Sequence, residues 1–232
     1  MKICIIPARG GSKRILRKNI KEFNGKPIIA YSIETALQSG CFDRVIVSTD
    51  DKEIADIARQ YGAEIPFIRP SYISNDYADT TSVIAHAITW LQEQNKKPDL
   101  VCCIYATAPF IQVEDLQSSL RQIELKDVDY CFSVTSYPFP IQRSIKITAE
   151  NRCEMFQIDM FNKRTQDLEE AYHDAGQFYW GKASAWIENK PVFSVRSIPY
   201  ILPRYQVQDI DTQEDWIRAE AMYIALQKLN VL

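Results

Sequence analysis

Apolar and polar positions alternate along the chain in blocks that predict strands and helices in turn. Ile3 to Ile6 is an apolar run of strand length that stops at Pro7. From Pro27 to about Leu37 the apolar residues recur at helical spacing, and Gly40 marks the stop. Arg44 to Ser48 reads as a second strand. The helix after it carries Ile54, Ile57, Ala58 and Tyr61 on one face and stops at Gly62. Ala63 to Arg69 reads as a short extended run before Pro70, and residues 70–81 as loop. Thr81 to about Gln94 predicts a helix with Val83, Ile84, Ala87, Ile88 and Leu91 as its stripe. Asp99 to Tyr105 predicts a fully buried strand, 114–125 an amphipathic helix, and Tyr130 to Val134 another buried strand. Strands alternating with helices over the first 135 residues predict an α/β fold with a doubly wound, mostly parallel sheet.

The alternation breaks between Tyr137 and Glu170, where Pro138, Pro140, aromatics and mixed charges predict an excursion; locally, a plain surface insertion fits equally well. From Gln177 the strand-like QFYW run resumes, followed by a helix over Lys182 to Glu188. Extended runs are expected over Val192 to Ile201 and Tyr205 to Ile210. A last helix starts near Thr212, where Thr212 and Asp215 match a capping box, with Trp216, Ala219, Tyr223 and Leu226 docking it onto the sheet. The 232 residues suit one domain spanning 1–232, with 137–170 as an excursion within it.

Charge changes the picture at one place. The loop after the first strand holds Arg9, Lys13, Arg14, Arg17 and Lys18 and no acidic residue, against a formal net charge of -3 for the whole chain. A cationic loop fed by the C-terminal end of a strand suits phosphates, and Gly10 and Gly11 let backbone approach an anion closely. Neither G-x-x-x-x-G-K-[ST] nor G-x-G-x-x-G is present, so the design differs from those two motifs. The acidic balance excludes a broadly basic nucleic-acid binder, and no apolar stretch approaches the ~20 residues that span a bilayer. Six cysteines, four of them in strand-like runs and none in a C-x-x-C pair, read as buried thiols in a reducing, cytoplasmic setting.

The second chemical signal is Gln208-Asp209-Ile210-Asp211-Thr212. In extended backbone Asp209 and Asp211 share one face while Ile210 points to the core. Such a pair suits Mg²⁺, which takes one or two carboxylates and completes its shell with waters and phosphates; the alternative is that Asp211 only caps the last helix. Ser82, in Asp79-Thr80-Thr81-Ser82, stands open between a nucleotide contact and simple capping.

The segments IPARGGSKR, RKNI, GKPIIAYSIE, STDD, IYATAPF, FNKRTQDLEEAYHDAGQFYWG and LPRYQVQDIDTQEDW, in that order over essentially the whole chain, resemble the sugar-activating cytidylyltransferases that make CMP-sialic acids, and most of all their pseudaminic acid branch. The resemblance implies a Rossmann-like nucleotidyltransferase fold with a protruding dimerisation arm at 137–170, a homodimer, CTP and a nonulosonic acid (pseudaminic acid) as substrates, and Mg²⁺ on Asp209 and Asp211. It implies that Arg9 and Lys18 hold the triphosphate and are catalytic together with the two aspartates. The nucleotide site it implies comprises Ala8, Arg9, Gly10, Gly11, Ser12, Lys13, Asn19, Arg69, Thr80 and Ser82. For the sugar it points to Tyr105, Thr107, Gln142, Arg143, His173, Asp174 and Gln177, although Gln177 also reads as strand core. Two positions depart from the family pattern: Leu16 stands where proline is usual, and Tyr105 where sialic-acid members carry glutamine, which turns the expectation from N-acetylneuraminate toward pseudaminic acid. CMP-N-acetylneuraminate or CMP-legionaminate synthesis, and a nucleotide-binding module without turnover, are the alternatives.

Overall fold

The computed structural model describes residues 1–75 and 78–231; positions 76 and 77 of the loop expected at 70–81 lie outside the described residues. In chain order the strands and helices are β1 (Lys2–Pro7), β2 (Glu22–Phe23), β3 (Lys26–Pro27), α1 (Ile28–Gln38), β4 (Arg44–Ser48), α2 (Lys52–Gln60), α3 (Thr80–Glu93), β5 (Leu100–Ile104), α4 (Val113–Leu125), β6 (Tyr130–Ser136), β7 (Ile145–Ile147), β8 (Cys153–Met155), β9 (Tyr172–Lys182), α5 (Ala183–Ile187), β10 (Ser197–Ile201) and α6 (Gln213–Lys228).

Six strands form the central sheet in the order β10-β6-β9-β5-β1-β4. β1 runs parallel to β4 and β5, and β10 parallel to β6, whereas β9 is antiparallel to both β5 and β6. Because strand side chains alternate faces, Cys4 and Ile6 join one core with α1, α2 and α4, while Ile3 and Ile5 join the other with α3 and α5. Helices thus cover both faces, as a doubly wound sheet requires. Asp51 caps α2 through Ile54 N at 3.0 Å, Asp79 caps α3 through Ser82 N at 2.6 Å, and Gly40 and Gly62 take positive φ just beyond α1 and α2.

Four expectations change. Strand β9 begins at Tyr172, five residues before Gln177, because Gly176 (φ +62) accommodates an irregularity that shifts the register against β6 between Phe132 and Val134. Ala63 to Arg69 forms no strand, contributing only the Glu64 bridge to Ile46. Tyr205 to Ile210 is not a strand either: a 3₁₀ turn, Arg204–Gln206, leads into irregular backbone. Finally, α6 does not dock onto the sheet. Trp216, Ala219 and Leu226 pack with Phe23 of the β2–β3 hairpin, Ile28 and Tyr31 of α1, Ile15, Phe110 and Ile210, and Phe23 meets Trp216 edge-on at 5.6 Å. This satellite core holds the 9–19 loop against the segment that carries Asp209 and Asp211.

The excursion leaves between β6 and β9. It folds as the antiparallel β7–β8 hairpin with short 3₁₀ turns, and leaves Phe139, Ile147, Phe156, Ile158 and Phe161 largely exposed.

Candidate active site

Pro7 closes β1, and the chain beyond it curls over the C-terminal ends of β1 and β5. Ala8 N still bonds to Ser48 O at 2.9 Å, so the loop departs from a fixed point. Asn19, buried at the loop's far end, donates to Arg9 O at 2.9 Å and ties the two ends together. The resulting cleft of about 340 Å³ is lined by Arg9, Ser12, Lys13, Arg14, Lys18 and Asn19 of the loop, by Arg69, Ser74, Asn75 and Thr80, by Tyr105 and Thr107 beyond β5, and by Asp211.

Cations and carboxylates are distributed unevenly around it. Lys18 Nζ donates to Ile210 O at 2.7 Å and to Asp211 Oδ1 at 3.2 Å, and Arg14 donates to Asp211 Oδ2 at 2.8 Å. Arg9 donates to Asn75 O at 3.1 Å. Arg69 is 4% exposed, its Nε donating to Ser74 Oγ at 3.1 Å; burial lowers its pKa, Asp50 opposes that shift, and the Arg9 charge adds to it. Arg17 does not line the cleft: it is engaged by Asp51 and Glu53 of α2. The space that Gly10 leaves is also filled by protein, since a Cβ there would meet Asp51 Oδ2 at 2.6 Å while Gly10 N donates to Asp50 Oδ1 at 3.0 Å. Gly11 faces open space.

Asp211 does not cap α6. Thr212 occupies the cap, its hydroxyl accepting from Asp215 N at 3.2 Å, and Asp215 accepts in return from Thr212 N at 2.8 Å and Asp211 N at 3.2 Å. The Asp211 carboxylate is thereby left to the cleft.

A second cleft, of about 640 Å³, adjoins the first across Tyr105, which lines both. Its walls are Thr135 and Ser136 at the end of β6, Pro138 beyond it, His173 to Gly176 of β9, Arg204, Val207 to Asp209, and Arg218 of α6. Ile210, 1% exposed, anchors the backbone between the clefts, with Asp209 lining one and Asp211 the other. Partial desolvation raises the Asp209 pKa, the Asp211 charge raises it further, and Lys18 opposes both. The backbone here is irregular, so Asp209 and Asp211 do not share one face of an extended strand as the sequence pattern predicts. The Asp211 charge still acts on Asp209, and a divalent cation held by both would relieve that repulsion in competition with Arg14 and Lys18. Among the described residues no three His, Cys, Asp or Glu side chains gather as a metal cage, so an ion on Asp209 and Asp211 would take its other ligands from water and phosphate, as Mg²⁺ does.

The remaining sequence-predicted residues fall in different places. His173 and Asp174 line the second cleft; Asp174 accepts from Gly176 N at 2.9 Å and from the Tyr179 hydroxyl at 2.6 Å. Burial raises the Tyr105 pKa, and its hydroxyl lies 3.4 Å from Thr80 Oγ1. Gln177 is buried behind the clefts and donates to Gln206 O at 2.5 Å. Ser82 hydrogen-bonds Asp79 at the start of α3, and with Ala8, Gly10 and Gly11 it lies outside both cleft linings. Gln142 and Arg143 sit on the excursion and donate to Glu169 O (2.9 Å) and Lys163 O (2.5 Å). Sequence reasoning missed Ser74, Asn75 and Arg218, which lie outside every quoted segment, and Arg204, which opens the LPRYQVQDIDTQEDW segment but is not singled out within it.

Known proteins share this architecture. A family model described as Cytidylyltransferase matches residues 3–229. The pseudaminic acid cytidylyltransferase of Campylobacter jejuni subsp. jejuni serotype O:2 is 47% identical over 95% of both chains. The CMP-N,N'-diacetyllegionaminic acid synthase of Legionella pneumophila subsp. pneumophila is 32% identical over 95% of both. Among solved structures, a CMP:2-keto-3-deoxy-manno-octonic acid synthetase complexed with CTP superposes with a TM-score of 0.70 over 97% of this chain and 98% of that one; at 15% identity it speaks to the fold.

Proposed function

The chain belongs to the cytidylyltransferase family, and we propose that it condenses CTP with a nine-carbon 2-keto sugar acid, pseudaminic acid, to give the CMP-sugar and pyrophosphate. The observation that carries this reading is the paired cleft: a cation-lined pocket for the triphosphate and a larger neighbour for the sugar acid, with Asp211 in one, Asp209 in the other and Tyr105 lining both. The 47% identity to proteins named for this reaction supports the choice of acceptor, as does tyrosine at position 105.

In the reaction, the anomeric hydroxyl oxygen of the sugar bonds to the α-phosphorus of CTP. The bond from that phosphorus to the β-phosphate bridging oxygen breaks, pyrophosphate leaves, and the hydroxyl proton is released. Charge grows on phosphate oxygens, so positioning and cationic stabilisation supply most of the catalysis. Arg9, Lys13, Arg14 and Lys18 are the groups suited to the triphosphate. Lys18, fixed on Ile210 O, is held where it can also keep Asp211 oriented. Asp209 and Asp211 would hold Mg²⁺, which when bound supplies Lewis-acid stabilisation of the phosphate oxygens.

The exposed apolar residues of the excursion, Phe139, Ile147, Phe156, Ile158 and Phe161, support a homodimer joined through 137–170. Among the described residues no helix is long and apolar enough to cross a membrane, and all six cysteines are free, which fits a cytoplasmic enzyme. Incubation with CTP, Mg²⁺ and pseudaminic acid tests the reading: it requires pyrophosphate and a CMP-sugar in equal amounts. No pyrophosphate above the acceptor-free control would overturn it.

A further inference from the structure

Tyr105 is shared by the two clefts, and its surroundings fix the direction of its hydrogen bonds. Its backbone is pinned on both sides: Tyr105 N donates to Gln177 O at 2.9 Å, and Tyr105 O accepts from Ser32 Oγ at 2.7 Å. Its ring packs on that of Tyr179, with 5.3 Å between centroids, and the two hydroxyls interact. Tyr179, 6% exposed, donates its hydroxyl proton to Asp174 Oδ2 at 2.6 Å, the length of a charge-assisted bond. The other Asp174 oxygen accepts from Gly176 N at 2.9 Å. Burial raises the Tyr179 pKa, and the neighbouring Tyr105 and Asp174 raise it further, so Tyr179 keeps this proton.

Donor and acceptor roles follow from the carboxylate. A carboxylate only accepts, so the single Tyr179 proton is committed to Asp174, and toward Tyr105 the Tyr179 oxygen offers lone pairs alone. Polarised by that short bond, it is a better acceptor for the Tyr105 proton than Thr80 Oγ1, which lies 3.4 Å from the Tyr105 hydroxyl. The Tyr105 oxygen then presents lone pairs to the clefts. We propose, resting on the transferase reading, that Asp174 and Tyr179 are positioning residues that orient the Tyr105 hydroxyl as a hydrogen-bond acceptor, so that the site selects a sugar with an O–H or N–H donor facing it. Asp174 thus acts on the sugar through two tyrosines rather than by touching it. An isosteric change reverses the chain. Gly176 N requires an oxygen opposite it, so Asp174→Asn turns its amide N–H groups toward Tyr179. Tyr179 then accepts there and donates to Tyr105, and Tyr105 donates into the cleft, where it opposes the sugar's donor. Tyr179→Phe removes the link and keeps the ring.

Wild type, Tyr179→Phe and Asp174→Asn, each with and without Tyr105→Phe, are compared by calorimetric titration of pseudaminic acid in the presence of a non-hydrolysable CTP analogue with Mg²⁺. Tyr179→Phe should weaken acid binding about 3- to 10-fold and Asp174→Asn about 10-fold or more, with affinity for the CTP analogue within about twofold of wild type. In the Tyr105→Phe background neither change should alter acid affinity by more than about twofold, because the hydroxyl they orient is gone, whereas a purely structural role would persist there. Acid affinity unchanged in both single variants would overturn the assignment. So would an Asp174→Asn loss that survives in full beside Tyr105→Phe, which would mean that Asp174 touches the sugar itself. Wild type that binds the CTP analogue and not the acid would overturn the transferase reading and the assignment with it, an outcome distinct from acid binding that the variants leave unchanged.

Discussion

Arg17 grips both oxygens of Asp51, with Nη1 2.5 Å from Oδ2 and Nη2 3.0 Å from Oδ1. Arg17 adopts left-handed backbone (φ 55) at the turn before Asn19, and Asp51 at the same time caps α2. One ion pair therefore joins the loop that lines the first cleft to the end of β4 and the start of α2, 34 residues away. This cation fixes the loop's shape, leaving substrate phosphates to its neighbours.

The pair carries a pH signature. The Arg17 guanidinium, with help from Ile54 N, holds the Asp51 carboxyl at about 2, below the ordinary aspartate value. A carboxyl whose pKa is lower folded than unfolded contributes stability that is present above about pH 4 and is lost as pH falls toward 2. After allowance for solvent screening the contribution is about 1–2 kcal/mol. Urea denaturation should show Asp51→Asn less stable than wild type by about that amount at pH 7, with the gap narrowing as pH falls from 4 to 2. A gap independent of pH would show that the charge is not responsible.

Two adjacent glycines should behave differently. A methyl group at Gly10 collides with the Asp51 side chain, so Gly10→Ala must push Asp51 off Arg17 or shift the loop, at about 1–3 kcal/mol of stability and with weaker CTP binding. Gly11→Ala meets open space and should change neither by more than about 0.5 kcal/mol. Thermal unfolding and CTP titration of the two variants check this; equal effects would contradict the contact.

Asp211 and Thr212 separate catalysis from capping. Asp211→Asn should lower kcat by about 100-fold or more with the circular dichroism spectrum and unfolding midpoint near wild type, because Thr212 holds the helix cap. Thr212→Ala should lose about 1 kcal/mol of stability and retain most of its turnover. If Asp211→Asn unfolded the chain, the carboxylate would be structural.

Metal removal probes the other carboxylate. EDTA should abolish pyrophosphate release and added Mg²⁺ restore it, while Asp209→Asn should shift the Mg²⁺ activation curve to higher concentration. Activity that survives chelation would rule out the assigned ion.

Much of the fold is written in local patterns. Arg44 to Ser48 becomes a strand with those bounds, and the Thr212–Asp215 box forms as read, because strand length and cap chemistry are decided by neighbouring residues. The direction of β9 is not local. An apolar run such as QFYW fits a parallel or antiparallel slot equally, and the Gly176 irregularity that lengthens it depends on its partner strand. The dual engagement of Arg17 shows the same limit at the site: five cations in one loop read alike until the carboxylates that meet them are known. Asp209 and Asp211 were visible as a pair, whereas their division between two clefts depends on how α6 docks. Arg204 and Arg218 reach one wall only through that docking.

The most direct measurement compares kcat/KM for pseudaminic acid, N,N'-diacetyllegionaminic acid and N-acetylneuraminic acid, each with CTP and Mg²⁺, by continuous pyrophosphate detection. A cytidylyltransferase for pseudaminic acid should use it at least about 100-fold more efficiently than the other two, the range that several mismatched polar contacts in a sugar cleft can produce. Preference for N-acetylneuraminic acid, or release of pyrophosphate from none of the three, would contradict the assigned acceptor.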